Sequence, residues 1–237
     1  MKILAIESSA AAASVAVSEE GVLLAQSFQN NGKTHSRTIL PMLEALLKNC
    51  ELALPDMDVI AVAAGPGSFT GLRIGISVAK GLAWQGDLPC IGVSTLEAMA
   101  WNLVHMEDFV ICPVMDARRN EVYNALFLSD GKSLRRLCSD RAVGLPVLLE
   151  DLANLKKRKI LVGDGATLCY NNAAKQREGL FFPPGHLQMQ SAWGVACAAR
   201  LPAERGGLLS PEKLRPVYLR LSQAERERLE REHAGNK

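Results

Sequence analysis

The sequence predicts an α/β protein built from two similar halves, each a mixed sheet flanked by helices. Three observations predict it. Short apolar runs at 59–64, 90–93, 109–115 and 159–162 are bounded by glycine, proline or polar turns, as strands covered on both faces are. Each half opens with three strands in tight succession and continues with strands and helices in alternation. Both halves therefore read β-β-β-α-β-α-β-α, and an architectural repeat of this kind is evidence of a duplicated fold. Tight connections followed by helical crossovers imply a mixed sheet in each half. The expected division is 1–104 and 105–222, with a charged tail at 223–237.

In the first half, residues 3–7 form a strand, 8–12 a turn of small residues, and 13–18 and 22–29 two more strands separated by Glu19-Glu20-Gly21. After the loop Asn30-Asn31-Gly32-Lys33, Thr34 or Ser36 caps a helix running to about Cys50. Its apolar residues Ile39, Leu40, Met42, Leu43, Leu46 and Leu47 cover roughly 160° of the helix, wider than the stripe of about 100° that a surface helix needs. The excess fits either deep burial or a second apolar contact beyond the home sheet. Pro41 marks either a kink or the true first turn. Residues 90–93 form a strand, and Ser94 caps a helix from 95 to about 104. In the second half, 109–115, 121–127 and a weaker run at 133–138 form strands, with a hairpin turn at Ser129-Asp130-Gly131-Lys132. Helices follow near 146–155, 167–176 and 191–200, with strands at 159–162 and 180–182. The tail from 223, rich in Glu and Arg, reads as a solvated helix or a disordered segment.

The organising stretch is 58–75, a buried strand, a Gly65-Pro66-Gly67 turn and a helix to about Trp84, capped by Ser68 or Thr70. That helix carries Gly71, Gly75 and Gly81, each costing roughly 1 kcal/mol against alanine. Gly71, Gly75 and Ala79 are spaced i, i+4, i+8, so they form one side-chain-free stripe. Something must approach it closely: a neighbour in the same domain, a partner helix, or a phosphate at the helix start.

Composition excludes several classes. The chain is 48% hydrophobic and 22% charged, the composition of an ordinary globule with a real core. A net charge of +2 gives no global field for nucleic acid. No run approaches a membrane span, the opening apolar run is too short for a signal peptide, and a cytoplasmic location is expected. The six cysteines lack a C-x-x-C pair and read as free thiols. The four histidines make no metal spacing, and Ile39 stands one turn after His35, so no metal is expected.

The duplicated β-β-β-α-β-α unit is the layout of actin, hexokinase and Hsp70-type ATPases, the actin-like, RNase H-like (ASKHA) fold. In such folds the first hairpin holds phosphates with an acid and glycines. Here Glu7-Ser8-Ser9-Ala10-Ala11-Ala12 keeps an acid and two hydroxyls but no glycine, which argues against autonomous phosphoryl transfer. Gly163-Asp164-Gly165 is its only counterpart in the second half. Ser68 lacks the G-x-S-x-G spacing of a hydrolase nucleophile. Asp116, Arg118 and Glu121 end or follow the first strand of the second half; they either bind a charged ligand or form an ion network across a cleft.

The residues 3–9 (Ile-Leu-Ala-Ile-Glu-Ser-Ser), 35–42, the block Gly65-Pro66-Gly67-Ser68-Phe69-Thr70-Gly71-Leu72-Arg73-Ile74-Gly75, 92–96, Met115-Asp116-Ala117-Arg118 with Glu121-Val122-Tyr123, and Pro216-Val217-Tyr218-Leu219-Arg220 together resemble the TsaB (YeaZ) family over nearly the whole chain. The resemblance implies a non-catalytic subunit for making N6-threonylcarbamoyladenosine in tRNA, with no catalytic residue and no cofactor of its own beyond a weak nucleotide contact in the complex. Its partners would be a catalytic TsaD-like subunit and a TsaE-like ATPase, with TsaC supplying threonylcarbamoyl-adenylate and tRNA met only through the complex. Alone it would pair as a homodimer. The resemblance puts the partner or dimer interface on the helices at 34–50 and 70–84, through Ile39, Leu40, Met42, Leu43, Leu46, Leu47, Gly71, Leu72, Gly75, Ile76 and Ala79. Candidate cleft or nucleotide contacts are Glu7, Ser8, Ser9, Arg73, Asp116, Arg118 and Glu121. The reading from another class is an ATP-dependent small-molecule kinase.

Overall fold

The computed structural model describes residues 1–173 and 178–220. The predicted tail and the predicted end of the 167–176 helix lie outside these residues. Ten strands and six helices follow the predicted order among the described residues. The first sheet holds β1 (Lys2–Glu7), β2 (Ala13–Glu19), β3 (Val22–Gln29), β4 (Val59–Gly65) and β5 (Cys90–Ser94) in the order β3-β2-β1-β4-β5. The second holds β6 (Val110–Asp116), β7 (Glu121–Ser129), β8 (Leu134–Gly144), β9 (Lys159–Val162) and β10 (Leu180–Phe181) in the order β10-β9-β6-β7-β8. Read from the third strand of each half, the two orders are the same. In both, the first strand pairs antiparallel with the second and parallel with the fourth. The expected mixed sheets and duplicated fold are therefore present.

The helices are α1 (His35–Asn49), α2 (Phe69–Gly86), α3 (Thr95–Trp101), α4 (Leu145–Asn154), α5 (Ala166–Asn172) and α6 (Ala192–Glu204). Ser68 and not Thr70 caps α2: its Oγ accepts the Gly71 N–H at 3.3 Å. Ser94 caps α3 in the same way through the Glu97 N–H. Thr34 stands at the N-cap of α1 without a side-chain cap, and Pro41 lies inside that helix. The strand β8 runs well past the expected 138, because residues 141–144 go on pairing with the start of β7.

Helices α1 and α2 cover one face of the first sheet, joining Leu4, Ile6, Val15, Val17, Ile60 and Val62 in one core. The opposite face is covered by α6, whose alanines pack on Ile3, Ala5, Ala61 and Ala63. This crosses the expected boundary at 104: α6 comes late in the chain yet closes the first sheet. The segment 209–217 returns there too. Leu209 bridges Cys90, Leu214 is buried in the first core, and the Val217 N–H donates to Ala64 O at 2.7 Å. Helix α3 is shared. Its Ala98 belongs to the layer beneath α6, while Leu96, Met99 and Ala100 pack with Ile111, Phe127 and Ile160 of the second sheet. The first sheet is built from strands within residues 2–94 and the second from strands within 110–181, and the helices interlock the two.

Candidate functional site

The end of β1 lies beneath the start of α2. Ser8 Oγ donates to Gly71 O at 2.9 Å, and the Ser68 N–H donates to Ser9 O at 2.7 Å. A Cβ at Gly71 would stand 2.1 Å from Ser8 O, and one at Gly75 would stand 2.3 Å from Ser8 Oγ. The glycine stripe is thus the surface on which α2 meets the first hairpin inside its own lobe. Gly71, Leu72, Gly75, Ile76 and Ala79 are all buried within the chain and present little surface outward. The same holds for Ile39, Met42, Leu43, Leu46 and Leu47: the wide apolar arc of α1 is spent on the sheet and on α2, and only Leu40, at 49% exposure, faces outward. The outer face of α2 presents Ser77, Gly81 and Trp84. A Cβ at Gly81 would meet nothing within 4 Å.

Between the lobes lies a cleft of about 650 Å³. On one side it is lined by Ser9, Ser68 and Thr70, and on the other by Asp116, Arg118 and Asp164, with Tyr218 and Arg220 along one wall. Of the hairpin residues expected here, Ser9 lines the cleft. Glu7 and Ser8 are not in it: both are buried, their polar groups turned inward. Glu7 Oε1 accepts the Ser9 N–H at 2.5 Å, and Oε2 has no partner. Burial pushes the Glu7 carboxyl up to about 7, against the partial relief of the hydrogen bonds from Ser9. This acid braces the hairpin through the Ser9 N–H.

Arg73 stands beside the cleft. Its guanidinium lies 4.1 Å over the Phe69 ring, and its Nε donates to the Tyr218 hydroxyl at 3.0 Å, so it backs two residues that line the cleft without lining it itself. Tyr218 stacks on Phe69 with centroids 4.1 Å apart. On the second lobe, Asp116 Oδ1 accepts the Arg118 N–H at 2.6 Å, and Asp164 Oδ1 accepts the Asp116 N–H at 3.3 Å. Burial raises the Asp164 carboxyl above its usual range, and the neighbouring Asp116 charge adds to this. Glu121 is an inter-segment ion pair: it meets Arg220 at 2.7 Å, and the same guanidinium donates to Ala117 O at 2.6 Å. Of the two alternatives left open for Asp116, Arg118 and Glu121, the ion network fits Glu121.

Phe69, Tyr123, Asp164, Tyr218 and Arg220 line or frame the cleft without having been assigned to it from sequence. The run Pro216-Val217-Tyr218-Leu219-Arg220 was visible as a motif; what it meets depends on the chain's return across α2. Chemically, the cleft sets two carboxylates, Asp116 and Asp164, opposite three hydroxyl residues, Ser9, Ser68 and Thr70. No glycine-lined phosphate cradle opens into it, because Gly67, Gly71 and Gly75 are filled by Ser8 and Ser9. Among the described residues no three His, Cys, Asp or Glu side chains converge as metal ligands. His35, which opens α1, places Nε2 2.7 Å from Ala10 O. All six cysteines are free.

Comparison with known proteins agrees with this architecture. A family model described as TsaD, tRNA N6-adenosine threonylcarbamoyltransferase, matches residues 23–159, more than half of the chain. The tRNA threonylcarbamoyladenosine biosynthesis protein TsaB of Escherichia coli (strain K12) is 34% identical over 222 residues, covering 93% of this chain and 95% of that one. The solved structure of YeaZ from Pseudomonas aeruginosa is 28% identical, with a TM-score of 0.78 over 92% of this chain and 99% of that one. A ROK hexokinase from Thermus thermophilus, 11% identical with a TM-score of 0.51 over 87% of this chain and 100% of that one, shares the fold alone. With a duplicated actin-like fold and a relative of this identity along almost its entire length, the chain belongs to the TsaB family of tRNA threonylcarbamoyladenosine biosynthesis proteins.

Proposed function

We propose that this chain is a non-catalytic subunit in the formation of N6-threonylcarbamoyladenosine in tRNA, acting in the cytoplasm by binding and activating a catalytic TsaD-like subunit. A TsaE-like ATPase joins the complex, tRNA is met through it, and the free chain self-associates by the same surface. That surface is the outer face of α1 and α2, with Leu40 and Gly81 in place of the buried residues expected from sequence. The observation that carries this reading is Gly81. An exposed glycine inside a helix costs roughly 1 kcal/mol against alanine, and nothing in its own lobe occupies the space it leaves. Close approach of another backbone would offset that cost. Support also comes from the hairpin: Ser8 Oγ is spent on the Gly71 carbonyl of α2, and Glu7 is buried, accepting the Ser9 N–H within the hairpin.

The test is co-purification with a TsaD-like protein, together with the variant Gly81→Leu. The variant should keep its fold, with an unchanged or raised melting temperature. Overpacking at the interface should weaken TsaD binding by roughly five- to a hundredfold, and modification of tRNA in a reconstituted system should fall in step. Wild-type binding by the variant would move the interface off this face. Micromolar ATP affinity of the isolated chain, with phosphate release, would instead favour the kinase reading.

A further inference from the structure

The other flank of α2 carries a second surface. Between this helix and the returning segment 212–216 runs an open groove of about 460 Å³. Its floor is apolar: Ile76 and Leu214 close it from below, and Pro216 lies at its side. Trp84 forms one wall and is 58% exposed, a large apolar surface to leave in water. Arg73, Lys80 and Arg215 surround the same space. None of the three is in an ion pair with a described carboxylate. Arg215 donates to the Glu212 and Leu214 carbonyls, and Arg73 to a tyrosine hydroxyl. The one acid in the groove, Glu212, is already engaged, because its Oε1 accepts the Trp84 indole N–H at 2.7 Å. That bond fixes the edge of the indole and leaves its exposed surface presented beside three cations.

We propose that this groove docks an acidic segment of a partner protein, with one bulky apolar or aromatic side chain of that segment seated on Trp84 over the Ile76–Leu214–Pro216 floor. Tryptophan and arginine are the side chains around which protein interfaces concentrate their binding energy. The three cations select the sign of the flanking residues. A small ligand would be left largely in water by so open a groove, whereas ligand pockets enclose most of what they bind. Single-stranded RNA would also be drawn to cations beside an aromatic ring. However, the apolar floor of Ile76, Leu214 and Pro216 offers no partner for phosphate or sugar. The groove shares Ser77 and Trp84 with the outer face of α2 and so borders the surface proposed above, but the peptide titration below uses the free chain and its outcome is separate from loss of TsaD binding in Gly81→Leu.

The probe is a fluorescein-labelled acidic peptide with a single central phenylalanine, titrated by anisotropy at low salt against the full chain. Controls are the same peptide with serine for phenylalanine, its lysine-substituted counterpart, and a single-stranded oligoribonucleotide of matched charge. The acidic phenylalanine peptide should bind. The serine peptide should bind at least about fivefold more weakly, and the lysine peptide should not bind. Trp84→Ala and Arg215→Glu should each weaken binding by about tenfold, the loss typical of an interface anchor. Lys80→Glu, at a half-buried helix position, carries the test should either variant fail to fold. Equal binding by wild type and variants, no binding at all, or preference for the oligoribonucleotide lost in the same variants would each overturn the proposal.

Discussion

Glu7 ends β1 fully buried, with one carboxylate oxygen accepting from Ser9 and the other unpartnered. Burial disfavours its charged form, which is why it ionises only near pH 7. The folded chain therefore holds a proton that the unfolded chain releases near the ordinary value of 4.5. Between these two values the folded state binds more protons, so the stability contributed by neutral Glu7 is complete below about pH 4.5. It declines as pH rises towards about 7 and is lost above it. The size is on the order of 3 kcal/mol. Glu7→Gln removes the titration. Its melting temperature relative to the parent should thus be higher at pH 8 than at pH 5, measured in matched buffers so that other groups cancel. A difference that does not change with pH would sink this account. The sequence showed an acid where nucleotide-binding relatives of the fold place one. Its inward direction was not legible, because that depends on Ser8 and Ser9 being claimed by a helix more than fifty residues later.

At the scale of the element, α2 shows what periodicity can and cannot tell. Spacing of i, i+4, i+8 established that Gly71, Gly75 and Ala79 share a face; it could not say which neighbour that face meets. The neighbour is the first hairpin, and the contact is tight enough that Ser8 Oγ stands where a side chain at Gly75 would begin. Gly75→Leu should therefore destabilise the isolated chain by about 1–3 kcal/mol or more. At this chain length that lowers the melting temperature by roughly 2–12 °C. Gly81→Leu, six residues on and facing open space, should not. Measuring the two variants side by side by thermal unfolding separates the faces, and equal melting temperatures would refute the distinction. The breadth of the apolar arc on α1 was also readable. Its cause, simultaneous packing on the sheet and on α2, leaves Leu40 as its exposed remnant.

For the whole molecule, the repeat was legible because strand order follows from hydrophobic runs and connection lengths, which are local. The distribution of the late helices was not, since an alanine-rich helix such as α6 announces burial without naming the sheet it covers. The consequence is mechanical. Helix α6 closes the first sheet although it follows the second in the chain, and α3 gives one side to each lobe. Charged groups fasten the same seam: Arg136 of β8 pairs with Glu97 of α3 and with Asp140, and Ser94 donates to Asp140 at 2.5 Å. Arg220 ties the returning segment to Glu121 and Ala117. Lobes joined only by a flexible linker would unfold separately, and an enzyme that closes around its substrate needs its halves free to rotate. Here each core lacks part of its lining if the other lobe melts. Calorimetry of the free chain should thus show one transition whose calorimetric and van't Hoff enthalpies agree. Met99→Ala, on the second-lobe side of α3, should lower that transition as a unit, at a cost of about 2–5 kcal/mol. Two resolved transitions, with Met99→Ala shifting only one, would mean that the lobes are thermodynamically separate.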